Sequence, residues 1–212
     1  MTLGYSTLTG YIANMVLEIV KFGNPVLREK GRRIDRITAE IRQLAADMVQ
    51  TMYVADGVGL AAQQVGHAVQ LMVLDVRASE QPSGILVADQ PQDLAAWMPL
   101  VLLNPVLRHP TGEVTGSEGC LSFPEINAPI RRAATVTLHA HNPDGQELNF
   151  VATGLLARAL QHELDHLNGI LFIDRMDAAT KASLAGKLKK LQKETAATLV
   201  PVRKRRHILT RV

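Results

Sequence analysis

The 212-residue chain holds a single cysteine, Cys120. One thiol cannot close an internal disulfide or build a zinc site from several cysteines. A stapled secreted scaffold is thereby excluded, and a reducing compartment is expected. Long apolar runs are also missing: stretches such as Met98–Leu103 and Leu71–Leu74 fall far short of a membrane span. An excess of one charge is lacking too. The 23 Lys+Arg against 20 Asp+Glu leave a net charge of +3. Five of the positive charges sit in the tail segment 202–211. The remaining body is near neutral, which argues against DNA or another nucleic acid binding across the domain. Residues 1–14 have no basic segment, no continuous apolar run and no arginine. They read as neither a signal peptide nor a transit peptide, so a cytoplasmic protein without a membrane partner is expected.

What is present is ordinary globular composition, 47% apolar and 20% charged. The length suits one domain. We divide the chain into an extension of unknown role at 1–14, a single domain at 15–200 and a basic tail at 201–212. Ile37, Ile41, Leu44, Met48 and Met52 form one helical stripe, capped near Asp35–Thr38. Residues 57–64, Gly-Val-Gly-Leu-Ala-Ala-Gln-Gln, are small and aperiodic, and read as a loop whose backbone comes close to something. Val69–Val76 and Leu100–Leu107 read as strands, the second broken by Pro105. Residues 77–99 show no lasting period. Thr135–His141 and Gln146–Val151 form a hairpin about Pro143–Gly145. Thr153 opens a helix that ends near Asn168–Gly169, and a last helix spans about 178–198, with Leu184, Leu188, Leu191 and Leu199 facing the core. Strands in the middle with helices before and after make the class α+β.

The segment richest in chemistry is 161–166, Gln-His-Glu-Leu-Asp-His. At about 100° per residue, His162 and His166 lie about 40° apart on one helix face, so both imidazoles reach one ion. Leu155 and Ala159 share that face as an apolar floor. Glu163 stands one step round, where it can serve water as a general base without being a ligand. Two histidines leave a tetrahedral site short. Downstream, Asp174, Asp177, Glu194 and His207 miss the spacing of the extended His-rich motif, because position 172 is Phe. The better third ligand lies upstream in 118–122, Glu-Gly-Cys-Leu-Ser. A Cys-His-His set with one open position suits catalysis, not a closed structural site.

Three segments, 57–64, 118–122 and 161–166, resemble the signature motifs of the peptide deformylases, in that family's order. Residues 19–28, Ile-Val-Lys-Phe-Gly-Asn-Pro-Val-Leu-Arg, resemble its opening segment, and the likeness covers about residues 16–175. The resemblance implies a metal-binding helix wrapped by antiparallel sheets. It implies one divalent ion on Cys120, His162 and His166, ferrous iron in the family, with zinc, nickel or cobalt able to take its place. It further implies Glu163 as acid and base, and the Gln64 amide and Leu121 N–H as oxyanion donors. The reaction implied is hydrolysis of the formyl group from N-formylmethionyl nascent peptides, releasing formate.

By the same resemblance, Val58, Leu155 and Ala159 line a methionine pocket with Glu118 at its edge. Val58, Gly59 and Gly119 offer backbone to an extended substrate. A peptidase sharing only the histidine helix would give Cys120 and the first motif no task. Two positions depart from familiar members. Asn127 follows Ile126 where many carry an arginine, and Arg158 replaces an aliphatic residue of some members, pointing either to solvent or to substrate. The tail segment 203–206, Arg-Lys-Arg-Arg, with the Lys-rich face of the last helix, is expected to touch ribosomal RNA.

Overall fold

The computed structural model describes residues 15–199. The extension 1–14 and the basic tail lie outside the described residues. In chain order the regular elements are α1 (Ala39–Val54), β1 (Gly59–Ala61), β2 (Leu71–Leu74), β3 (Ser83–Val87), β4 (Gln90–Pro91) and α2 (Leu94–Trp97). Then follow β5 (Leu100–Thr111), β6 (Val114–Gly119), β7 (Asn127–Arg132), β8 (Thr135–His141), β9 (Glu147–Thr153), α3 (Gly154–Leu167) and α4 (Ala178–Thr198). Seven strands form one antiparallel sheet in the order β1-β2-β5-β8-β9-β3-β4, and β6 pairs with β7 in a second sheet.

Helix α1 starts where the stripe predicts. The Thr38 hydroxyl accepts the Ile41 N–H, and Met48 and Met52 are fully buried. Residues 57–64 are not a loop as expected. Gly59–Ala61 form the edge strand β1, with Gly59 opposite Leu74, and Ala62–Val65 form a 3-10 turn. Three residues are too few to display a strand's alternation, so the period gave no signal. Pro105 does not end β5. The strand passes it through a register shift between Leu103 and Val106, with Asn104 at φ 52°. Segment 77–99 holds the β3–β4 hairpin and α2. Ile85 of β3 is buried opposite Ala152 of β9.

Helix α3 is the centre of the molecule. Leu156, Ala157, Leu160 and Leu167 are fully buried among residues of β2, β5, β8 and β9. Thr153 stands at its N-cap, but its hydroxyl makes no capping bond. The helix is instead entered through Gly154 at φ 63°, where an added Cβ would meet the Pro82 carbonyl oxygen at 2.0 Å. The same carbonyl accepts the Leu155 N–H at 2.9 Å, satisfying one orphan donor of the first turn. Helix α4 is capped by Asp177, which accepts the Thr180 N–H at 2.8 Å. Leu184, Leu188 and Leu191 pack on a cluster with Phe123, Ile126 and Phe172. Leu199, expected in the core, is exposed. It lies just past the helix, where the backbone has already turned extended.

Candidate active site

One cavity of about 630 Å³ draws on several separate parts of the chain. The strand β1 and the residues before it supply Gly57, Val58 and Gly59, and the 3-10 turn after it supplies Gln64. The end of β6 supplies Ser117 to Leu121, helix α3 supplies Leu155, Arg158, Ala159, His162 and Glu163, and the opening segment supplies Ile19 and Lys21. Segment 77–99 adds Ser79 and Gln81. All six residues expected to bind substrate therefore border the same space.

His162 and His166 lie one turn apart on α3, with ring centroids 5.1 Å apart. Cys120 follows β6 at a tight turn closed by the Phe123 N–H on the Cys120 carbonyl at 2.8 Å. Its Sγ stands 3.3 Å from His166 Nε2. One ligand atom from each of the three residues lies within 4.8 Å of the others. A sulfur and two imidazole nitrogens at this spacing fit one tetrahedral ion with a fourth position free. His162 Nδ1 sits 3.1 Å from Glu118 Oε2, which leaves Nε2 as the free ring nitrogen and fixes the ring.

The two histidines are pushed in opposite directions. Burial works to lower the His162 pKa, but Cys120 and Glu118 beside it prevail and hold it well above the usual value. Burial drives His166 well below, and the neighbouring His162 adds to that. Burial also raises the Glu163 carboxyl to about 7, against the opposing pull of His162. Glu163 Oε2 is buried with no hydrogen-bond partner among the described residues. An unpartnered carboxylate oxygen in such a place is costly unless it has a task or a ligand.

Gln64 is turned by its own backbone. Its Oε1 accepts the Ala61 N–H at 2.8 Å, which leaves the NH2 group facing Cys120 Sγ and Ser122 Oγ, each at 3.5 Å. The Leu121 N–H has no acceptor among the described residues. Two donors thus border the site, one idle and one with only long contacts.

Glu118 does more than edge a pocket. Its carboxylate accepts from Arg132 Nε at 3.1 Å, Arg132 Nη2 at 3.0 Å and Arg158 Nη2 at 2.8 Å, besides His162. Burial would raise it, yet the bonds from His162 and Arg132 hold it at about 2. Arg132 and Arg175 in turn clasp Asp165. Arg158 does not point to solvent. It is buried and also donates to the Gly116 carbonyl at 2.9 Å. Asn127 is exposed opposite Gly119 and borders the cavity. Sequence reasoning passed over Arg132, Asp165 and Arg175. The signal for Arg132 was present: Ala128, Ile130 and Arg132 alternate as the buried positions of β7.

The chain matches the family profile described as polypeptide deformylase over residues 16–182. The chain belongs to the polypeptide deformylase family. It is 40% identical over 182 residues to a peptide deformylase of Methylacidiphilum infernorum, covering 86% of this chain and 96% of that one. It is 42% identical over 185 residues to one of Opitutus terrae, covering 86% and 96%. The fold is similar to the crystal structure of the deformylase from Thermus thermophilus, with TM-score 0.72 and 34% identity over 85% of this chain and 99% of that one. A plant peptide deformylase gives TM-score 0.74 at 35% identity, covering 87% and 94%. Among the described residues no helix is long and apolar enough to cross a membrane.

Proposed function

We propose that this chain is a metal-dependent hydrolase that removes the N-formyl group from the initiator methionine of new polypeptides. The observation that carries this reading is the Cys120–His162–His166 trio beside the unpartnered carboxylate oxygen of Glu163. Cys120, His162 and His166 would hold one divalent ion. We take it to be ferrous iron, as the resemblance to the family implies, while zinc, nickel or cobalt fit the same donors; the thiolate would make any of them a weaker Lewis acid than three imidazoles would. When bound, the ion polarises the formyl carbonyl and makes water more acidic.

The chain's own residues do the rest. Glu163 takes a proton from the attacking water and delivers it to the departing amine, which is otherwise a poor leaving group. The Leu121 N–H and the Gln64 amide meet the charge that grows on the formyl oxygen. Removing one such donor typically raises a barrier by about 2.7–4 kcal/mol. β1 is the outer strand of its sheet and β6 pairs only with β7. Among the described residues both therefore have an edge without a strand partner, beside Val58 at Gly59 and at Gly119, where an extended peptide can add as a strand. Leu155, Ala159 and Val58 would take the methionine side chain. Glu118 lines that pocket, but its carboxylate is spent on His162 and the two arginines, so it acts by orienting a ligand.

The reading includes a cytoplasmic enzyme working on nascent chains. Lys187, Lys189, Lys190 and Lys193 of α4, with the tail 201–212, supply local positive charge for ribosomal RNA. Unchanged co-sedimentation with ribosomes after deletion of 201–212, at low and moderate salt, would remove that part. The main test is formate release from formyl-Met-Ala-Ser by anaerobically purified, iron-loaded protein beside Glu163→Ala. Rapid release that the substitution abolishes supports the proposal. No release from folded, metal-bound protein sinks it.

A further inference from the structure

Residues Val20–Phe22 run between the two segments that carry the proposed oxyanion donors, and each residue bonds one of them. The Val20 N–H donates to the Gln64 carbonyl at 2.9 Å. The Phe22 N–H donates to the Ser122 carbonyl, also at 2.9 Å. Between them the Lys21 side chain crosses to the Leu121 carbonyl, with Nζ at 2.8 Å. The phenyl ring of Phe22 stacks on Phe123 with centroids 4.8 Å apart. This short strap therefore ties Gln64 to the Cys120 turn.

The turn after Cys120 contains three successive peptide planes, and each carbonyl has its own partner. The Cys120 carbonyl takes the Phe123 N–H from within the turn, and the Ser122 carbonyl takes the backbone of Phe22. The middle plane, Leu121–Ser122, is the one held by a side chain. That plane turns about ψ of Leu121 and φ of Ser122, whereas the Leu121 N–H lies in the preceding plane, so the Lys21 bond acts on the N–H through the Leu121 Cα, by anchoring the residue in place. Lys21 borders the cavity, and among the described residues no carboxylate lies within ion-pair distance of its ammonium. Among the described residues its one side-chain hydrogen bond is to the Leu121 carbonyl, beside the site.

We propose that Lys21 is a positioning residue for the hydrolysis. Its ammonium anchors Leu121 by the carbonyl, which holds the residue and its N–H in place at the edge of the cavity, while the Val20–Phe22 strap fixes the spacing between that donor and Gln64. This rests on the proposed oxyanion roles of Leu121 and Gln64. Donors of this kind act over about 3 Å, and a displacement of about 1 Å can cost about 100-fold in rate.

The test compares Lys21→Met and Lys21→Arg with the unmodified chain, all iron-loaded. Bound metal, kcat and KM on formyl-Met-Ala-Ser, and amide hydrogen exchange across 117–126 are measured. Lys21→Met is expected to keep one ion per chain and a KM within about 3-fold, to lose about 10- to 100-fold in kcat, and to exchange faster at 121–123. Lys21→Arg, which retains a charged donor, recovers most of kcat. If Lys21→Met does not fold, Lys21→Gln carries the same comparison. A kcat within about 2-fold of the unmodified chain overturns the proposal, as does a loss that simply tracks lost metal. If the unmodified chain releases no formate, the deformylase reading fails on its own. The strap is then judged by exchange alone, and unchanged exchange across 117–126 overturns it.

Discussion

A Cβ on residue 59 would stand 2.5 Å from Glu163 Oε1 and 3.0 Å from its Cδ and Cγ. The backbone of β1 is thus pressed against the carboxylate on α3, and glycine is the residue that permits it. Gly59→Ala must displace Glu163, because β1 is pinned on its other side by β2. We expect kcat/KM for formate release to fall by about 100-fold or more with bound metal unchanged. Wild-type turnover in the alanine variant would show that Glu163 need not sit where it does.

Glu163→Gln keeps shape and burial but cannot carry the proton. General acid–base catalysis contributes about 10²–10⁴-fold, so kcat should drop by that amount at full metal occupancy. Because Glu163 Oε2 lacks a partner, the substitution breaks no bond at that atom. Its urea midpoint should therefore stay at or above that of the unmodified chain. A large loss of stability would point instead to a structural role.

Glu118→Gln removes the one carboxylate shared by Arg132, Arg158 and His162. The two guanidiniums are buried, and the change leaves them short of negative charge. Breaking a buried ion pair from one side typically costs about 3–5 kcal/mol, measurable by urea unfolding. Loss of the partner that orients His162 should also weaken metal binding by about 10- to 100-fold in competition with a chelator. A variant with unaltered stability and unaltered metal affinity would refute the bracing role.

Much of the site was legible because its chemistry is written in contiguous segments. His162, Glu163 and His166 share one helical turn, and Cys120 and Leu121 are adjacent. Spacing on a helix translates directly into a shared face, so the trio follows from the sequence once α3 is assigned. The resemblance supplied Gln64, whose role no local pattern reveals. The bracing network was hidden because Arg132, Arg158 and Asp165 are charged residues at buried positions, and they meet only across the β7–α3 packing. Arg158 in particular could not be placed, since its acceptors Gly116 and Glu118 are about forty residues away in the chain. The strands β1 and β3 were missed for a different reason. Both are short pieces of sheet whose partners, not their own alternation, make them strands.

Asp75 stands directly after β2, and its N–H holds the Val58 carbonyl at 3.0 Å, on the rim of the cavity. Its carboxylate accepts from Tyr53 Oη at 2.7 Å, and from the Arg77 N–H and Nε at 3.0 Å each. Burial works to raise this carboxyl, but the bonds from Arg77 and Tyr53 prevail and hold it below the ordinary 3.8. A group whose pKa is lowered on folding stabilises the fold above its unfolded value and loses that contribution as pH falls through the folded one. The contribution of Asp75 should therefore be complete at pH 6.5 and fade below about pH 4. Arg77 and Tyr53 are half-exposed to screening water, so we expect Asp75→Asn to cost only about 1 kcal/mol at pH 6.5. Urea midpoints of the two chains at pH 6.5, 5, 4 and 3.5 should converge on acidification. A gap that stays constant or widens with acid would show that the aspartate is not held ionised by these bonds.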